Sequence, residues 1–255
     1  MAVEEAILEA VIQGISPPTL RLYEWHPPCL SIGYAQNSAE VDLERLTSRG
    51  WLLVRRPTGG RAILHTDELT YSVIGPESDP RLSGTVLECY RKLAEALVQA
   101  LKLLNIHAEI QESPINQAHQ PKNNPICFEV PSNYEITTSE KKLLGSAQAR
   151  KKGGVLQHGS LPLHGDLTRI TQVLKYPDEI SRALAARRLL ERATTVEGVL
   201  GYCISFEATA QAFLSAFSQV LKIDFIYSEL SAQEQDRAEQ LMQEKYNHPS
   251  WTFRI

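Results

Sequence analysis

The stretch VRRPTGGRAILHTDELTYSVI, residues 54–74, sets two arginines, a paired glycine and a histidine between runs that read as strands. Two readings are open. Gly59-Gly60 is a hairpin turn with Arg55 and Arg56 as its solvated shoulders, an ordinary signal between β-rich runs. Alternatively, the bare backbone lets main chain and positive charge come up against a ligand.

Outward from this stretch, residues 52–56, 62–65 and 69–74 read as three closely connected strands. Two more, at 20–25 and 30–35, precede them and are separated by the rigid turn Pro27-Pro28. Val3, Ala6, Ile7, Ala10 and Val11 share one face of a helix over residues 2–13, stopped by Gly14. A short helix is expected at 43–48, and Val86, Tyr90, Leu93, Leu97, Leu101 and Leu104 mark a long amphipathic one. Residues 112–125 are polar, Pro/Asn-rich and without period, which reads as an exposed loop. Strand signals resume at 128–130, 134–138, 142–144 and 155–163. Helical patterns follow at 180–192 and 205–221, and Ser231-x-x-Glu234 is a capping box that opens a last helix to about Tyr246. Strands crossed by helices and then a helical tail predict an α+β fold on a mixed or antiparallel sheet. Residues 1–175 form its core, and 176–255 are a helical C-terminal part of the same domain.

The 255 residues are 43% apolar and 22% charged, with a formal net charge of -4. That balance is ordinary for a globular protein, and a binder of nucleic acid needs a basic face instead. No apolar run approaches the roughly 20 residues of a membrane span, and the N-terminus is acidic where a signal peptide is basic. The expectation is a cytoplasmic protein with no membrane or nucleic-acid partner. Cys29, Cys89, Cys127 and Cys203 form no C-x-x-C pair, so free thiols are expected and no metal.

Among these thiols, Cys127 follows the expected loop and opens the strand ICFEVPSNYEI, where a side chain is able to face a cleft. A small buried hydrophobe is the competing reading. Lys141 and Lys142 alternate on the next strand, so one of them points to its functional face; both are otherwise a solvated hairpin tip. An ammonium beside a thiol favours thiolate and supports a developing oxyanion. Gly145, Ser146 and Ala147, then Gln148, admit a ligand close to the backbone, and His158 and Gly159 in QHGS repeat the theme, although His158 also reads as a satisfied core histidine. Arg150, Lys151 and Lys152 form a basic turn or a dock for an acidic carrier.

RRPTGGRAILH, CFEVPSNYEI, KLLGSAQARKKGGVLQHGSL, MAVEEAIL and SIGYAQ together resemble the lipoate-protein ligase A and octanoyltransferase family of the biotin/lipoate protein ligase superfamily, in order over residues 1–165. The resemblance implies that superfamily's catalytic-domain fold. It also implies an acyl tunnel to which Arg56, Thr58, Gly59, Gly60 and His65 carry over as substrate-binding positions. Ligases have a third glycine where this chain has Arg61, so the resemblance is greater to the cysteine-dependent octanoyltransferase branch. On that branch Cys127 is the nucleophile and Lys142 its activator. Octanoyl-acyl carrier protein is the donor, and the acceptor is a lipoyl-domain protein such as the glycine cleavage H protein or a 2-oxoacid dehydrogenase E2. No cofactor is required. Three alternatives remain: an ATP-dependent lipoate ligase, an octanoyl amidotransferase between lipoyl-domain proteins, and a non-enzymatic carrier-binding module.

Overall fold

The computed structural model describes residues 1–112, 126 and 134–255. The expected loop beyond Glu112, Cys127 and the strand at 128–130 therefore lie outside the described residues. Nine described strands form two sheets. β1 (Thr19–Tyr23), β5 (Glu68–Pro76), β9 (Gly154–Pro162), β8 (Lys141–Lys151), β7 (Tyr134–Thr138) and β6 (Glu109–Glu112) lie side by side in that order, every pair antiparallel. The smaller sheet places β2 (Cys29–Ile32) between β3 (Leu52–Arg55), parallel to it, and β4 (Ile63–His65), antiparallel.

This arrangement decides between the two readings of the glycine pair. β3 and β4 do not pair with each other, so Gly59-Gly60 is not the turn of a hairpin but a loop carrying the chain across β2. Nor are the neighbouring strands joined as a run, because β1 and β5 belong to the large sheet while β2, β3 and β4 make the small one. Local strand propensity does not specify partners, and here the polar connections let consecutive strands change sheets.

Helices cover both faces of the large sheet. α1 (Ala2–Ile12) sets Ile7, Leu8 and Val11 against Ile74 and Leu156 on one face. After α2 (Leu43–Thr47), α3 (Val86–Leu103) opens with a capping box of Thr85 and Glu88. It buries Cys89, Leu93, Leu97 and Leu101, a helical stripe, against Leu69, Tyr71 and Leu161 on the opposite face. The C-terminal part adds α4 (Glu179–Arg192), α5 (Val196–Leu200), α6 (Phe206–Leu221), α7 (Ala232–Leu241) and α8 (Pro249–Thr252). Phe213 and Phe217 of α6 join the core of α3, and Ala238 and Leu241 of α7 pack with Ala6 of α1. No described helix is long and apolar enough to cross a membrane.

Candidate active site

A cleft of about 330 Å³ opens between the two sheets, within the size range of small-molecule sites. The small sheet contributes Ser31, Ile63 and His65, and the loop after β3 contributes Arg56, Gly59, Gly60 and Arg61. From the large sheet come Gly145, Ser146, Ala147 and Gln148 of β8 and His158, Gly159 and Ser160 of β9. Trp25 and the first turns of α3, through Val86, Leu87 and Tyr90, close the sides. Every substrate-binding position expected from the sequence thus lies at this cleft except Thr58, which sits behind it with its hydroxyl 2.7 Å from His158 Nε2.

The floor is polar but internally bonded. His65 Nε2 lies 2.8 Å from Ser31 Oγ and its Nδ1 2.6 Å from Glu68 Oε1, while Trp25 stacks on the ring at 4.3 Å. Glu68 also accepts from Thr70 at 2.5 Å and from Ser160. Burial alone would push the Glu68 carboxyl up; the charge and hydrogen bond of His65 and the two hydroxyls hold it below the usual carboxylate range. A second chain of the same kind runs from Thr58 through His158 to Glu4, whose other oxygen accepts from the Tyr23 hydroxyl at 2.8 Å. Burial opposes ionisation of Glu4 as well, and His158, the Met1 ammonium and Tyr23 outweigh it, so this carboxyl too stays well below its ordinary range. No cleft-lining side chain is among the described buried polar atoms that lack a partner. An apolar ligand therefore fills the cleft without stranding a described side-chain hydrogen-bonding group.

Arg56 is 2% exposed, and all five of its N–H donors meet protein acceptors: Ser31 O and Oγ at 3.1 Å each, Gly59 O at 3.2 and 2.8 Å, and Arg61 O at 2.7 Å. Its cation shapes the loop. Arg55, the next residue along the strand, points the other way and is 0% exposed. It donates to Gly33 O (2.9 Å), Gln36 O (2.6 Å) and Thr252 O (2.8 Å), tying the last residues to the loop after β2.

Lys142 does not lie at a solvated tip. It is 3% exposed with Nζ 2.7 Å from Glu135 Oε1, whereas Lys141 reaches the carbonyl of Leu190 at the surface. Ordinary alternation explains the difference, since Lys141 pairs with Thr138 and Lys142 with Thr137 in regular register; a bulge follows at Leu143, before Leu144 pairs with Ile136. Lys142 is not among the residues lining the cleft; Glu135 lines a void of about 10 Å³ that shares Tyr90 and Ser146 with it. Among the described thiols, Cys29 and Cys89 are buried, their pKa values raised chiefly by desolvation, to about 12 for Cys29, and Cys203 is exposed beside Glu197. The basic turn is largely spent internally: Arg150 donates to Gly84 O and Leu82 O, and Lys151 pairs with Glu5 at 2.8 Å.

Sequence reasoning missed Ser31, Glu68, Glu135 and Glu4. Glu4 and Ser31 carried a signal, each being a polar residue inside an apolar pattern, AVEEAIL and CLSI. Glu135 carried none, because its partner Lys142 is set by strand pairing, while the nearness of Glu68 to His65 in HTDEL was passed over.

The profile of the lipoyl protein ligase A/B catalytic domain matches residues 1–218. The octanoyltransferase LipM of Kyrpidia tusciae is 43% identical, covering 100% of this chain and 93% of its own. That of Carboxydothermus hydrogenoformans is 40% identical, covering 100% and 94%. Among solved structures, the bipartite lipoate protein ligase of Thermoplasma acidophilum superposes with a TM-score of 0.79 at 29% identity over 99% of this chain and 91% of its own. A lipoate-protein ligase A bound with ATP superposes equally well, with a TM-score of 0.79 at 30% identity over 99% and 92%.

Proposed function

The chain belongs to the lipoyl protein ligase A/B catalytic-domain family and is an octanoyltransferase, and on that premise we propose that the cleft between the sheets holds the octanoyl chain while Cys127 carries it as a thioester. The reaction moves octanoyl from acyl carrier protein to a protein acceptor. The Cys127 thiolate attacks the carbonyl carbon of the octanoyl thioester, and the carrier's thiolate leaves. A lysine amine of a lipoyl domain then attacks the new thioester: the C–N bond forms, the C–S bond breaks, and the amine proton passes to the departing Cys127 thiolate. Thioester exchange is nearly isoenergetic, so no nucleotide is consumed. Lys142, fixed by Glu135, is the cation that favours the thiolate.

The observation that carries this reading is the bonded floor, which suits an alkyl chain: among the described residues the donors of Arg56 all go to the protein, so this cation holds the loop rather than a carboxylate or triphosphate. The acceptor class is supported by the Thermoplasma ligase, which was solved as part of a lipoylation system with its E2 lipoyl domain; the glycine cleavage H protein offers the same acceptor chemistry. We place the reaction in the cytoplasm and treat residues 1–175 as its core. The packing of α6 on α3 and of α7 on α1 supports residues 176–255 as part of that same domain.

Intact mass after mixing the protein with octanoyl-carrier protein, without nucleotide, tests this. A hydroxylamine-labile octanoyl adduct on Cys127, absent in Cys127→Ala and present in Cys203→Ala, is expected. An adduct formed only with ATP returns the ligase reading. Lys142→Ala should move the pH dependence of Cys127 alkylation upward, and Lys141→Ala should not.

A further inference from the structure

We propose that the loop between β3 and β4 is an oxyanion site whose donor is the backbone N–H of Gly60, aimed by Arg56. The inference rests on the acyl-thioester reading and assigns the group that holds the carbonyl oxygen as it becomes negative. Three observations carry it, and each concerns a different feature of the loop.

The first is the conformation and surroundings of the glycines. Gly60 has φ +92°, a backbone conformation that favours glycine, and its carbonyl occupies the place where a side chain on Gly33 would stand, 1.9 Å from that Cβ position. Gly59 differs. Its φ is outside the left-handed region, and a Cβ built on it meets nothing within 4 Å. Neither backbone strain nor packing within the described protein requires a glycine there. The space beside Gly59, which lines the cleft, is open to a ligand.

The second is the direction of the peptide between Gly59 and Gly60. In a trans peptide the C=O and the following N–H point to opposite sides. The Gly59 carbonyl is held on the floor by two donors of Arg56, at 2.8 and 3.2 Å. The N–H of Gly60 is therefore turned away from the floor, toward the open side of the cleft. Among the described residues no acceptor meets the N–H of Gly59 or of Gly60. Arg56 has no donor to spare for the substrate itself, so it is a positioning residue, and a fixed, oriented N–H is what preorganised oxyanion stabilisation needs.

The third is position along the chain. Ala62, two residues after Gly60, forms a parallel bridge with Ile126, the residue before Cys127 in the sequence, and both sit in one apolar cluster with Ala193. Ala193 in turn bridges Lys142. The loop is thus joined to the segments carrying both proposed catalytic side chains. In each half-reaction the C=O π electrons move to oxygen as sulfur or nitrogen adds, Gly60 N–H receives that charge, and the electrons return as the thiolate leaves.

Isotope-edited infrared spectroscopy of the octanoyl-enzyme, made with octanoyl labelled with carbon-13 at the carbonyl, reads the contact directly. The thioester carbonyl band of the folded parent should lie at lower wavenumber than that of the same adduct unfolded in acid, and Arg56→Lys should move it toward the unfolded position. In Arg56→Lys, kcat should fall about 10²–10³-fold, the usual effect of losing one such donor, with KM changed only a few-fold. A folded parent whose band coincides with the unfolded one overturns the oxyanion site while leaving the thioester reading intact. A parent that forms no adduct overturns both. Gly59→Ala keeps the test independent of Arg56 and its folding: the substitution is permitted by conformation and space, so Tm should hold while kcat falls. Parental turnover in Gly59→Ala contradicts the loop's approach to the reacting group.

Discussion

Arg55 and Arg56 are neighbours of identical chemistry, both buried, and both donating mainly to backbone oxygens among the described residues. They do opposite work because a strand sends consecutive side chains to opposite faces. On one side Arg55 gathers the C-terminal residues, where Trp251 Nε1 donates to the Arg55 carbonyl at 2.8 Å and Lys245 and Arg254 lie 4.1 and 4.4 Å from the Trp251 ring. On the other, Arg56 turns the carbonyls of the glycine loop inward. A buried cation can therefore act as a knot or as an aiming device, and only the acceptors around it tell which.

This contrast can be broken by swapping the losses. Arg56→Met should have the largest effect, lowering turnover of octanoyl transfer by roughly 10²–10³-fold, with the smaller share of its damage in stability. Arg55→Met should do the reverse. Its carbonyl partners lose a charged donor, so unfolding should become easier by about 3 kcal/mol, roughly 6–12 °C in Tm for a chain of this size, with turnover of the folded fraction within a few-fold of the parent. Thermal unfolding and steady-state transfer measured on both variants would show a double dissociation. Equal losses of activity would merge the two faces into one structural unit.

Acid sharpens the comparison further. On the C-terminal side, burial of Glu5 opposes ionisation, but Lys151, Lys245 and Tyr246 hold its pKa at about 2, down from its ordinary 4.5. A depressed folded pKa means that Glu5 contributes stability above about pH 4.5, and that this is lost as the pH falls toward 2. Glu5→Gln should therefore lower Tm at pH 6 and flatten the fall in Tm between pH 4.5 and 2. An unchanged acid limb would remove Glu5 from the C-terminal knot. Smallest of all, Trp251→Phe should cost about 1 kcal/mol, the worth of one hydrogen bond, without touching transfer.

Much of this architecture was legible in the sequence where a period or cap was strong. The stripe of α3, the capping box before α7 and the strands around RRPTGG all appear near their expected places. β8 was only half legible: its continuation through Gly145, Ser146, Ala147 and Gln148 lacks strand propensity, and pairing with β9 imposes it. Small residues there keep the cleft open, so the local weakness and the site have one cause. β6 and α5 were missed because each is short, β6 in a polar stretch and α5 interrupted by Gly198. Within the site, the residue types at the cleft were readable from motif and glycine content. The carboxylates behind the two histidines were not: Glu4 reaches His158 through tertiary pairing alone, and Glu68, three residues from His65, sits across the change of sheet between β4 and β5.

The claim that octanoyl passes through the enzyme itself is tested most directly by a chase. Octanoyl-enzyme, freed of carrier and nucleotide, is mixed with a lipoyl-domain protein, and both intact masses are followed in time. The adduct should decay as the octanoyl amide appears on the acceptor, one for one and at the same rate. An adduct that persists while the acceptor is modified in full turnover would contradict the covalent route.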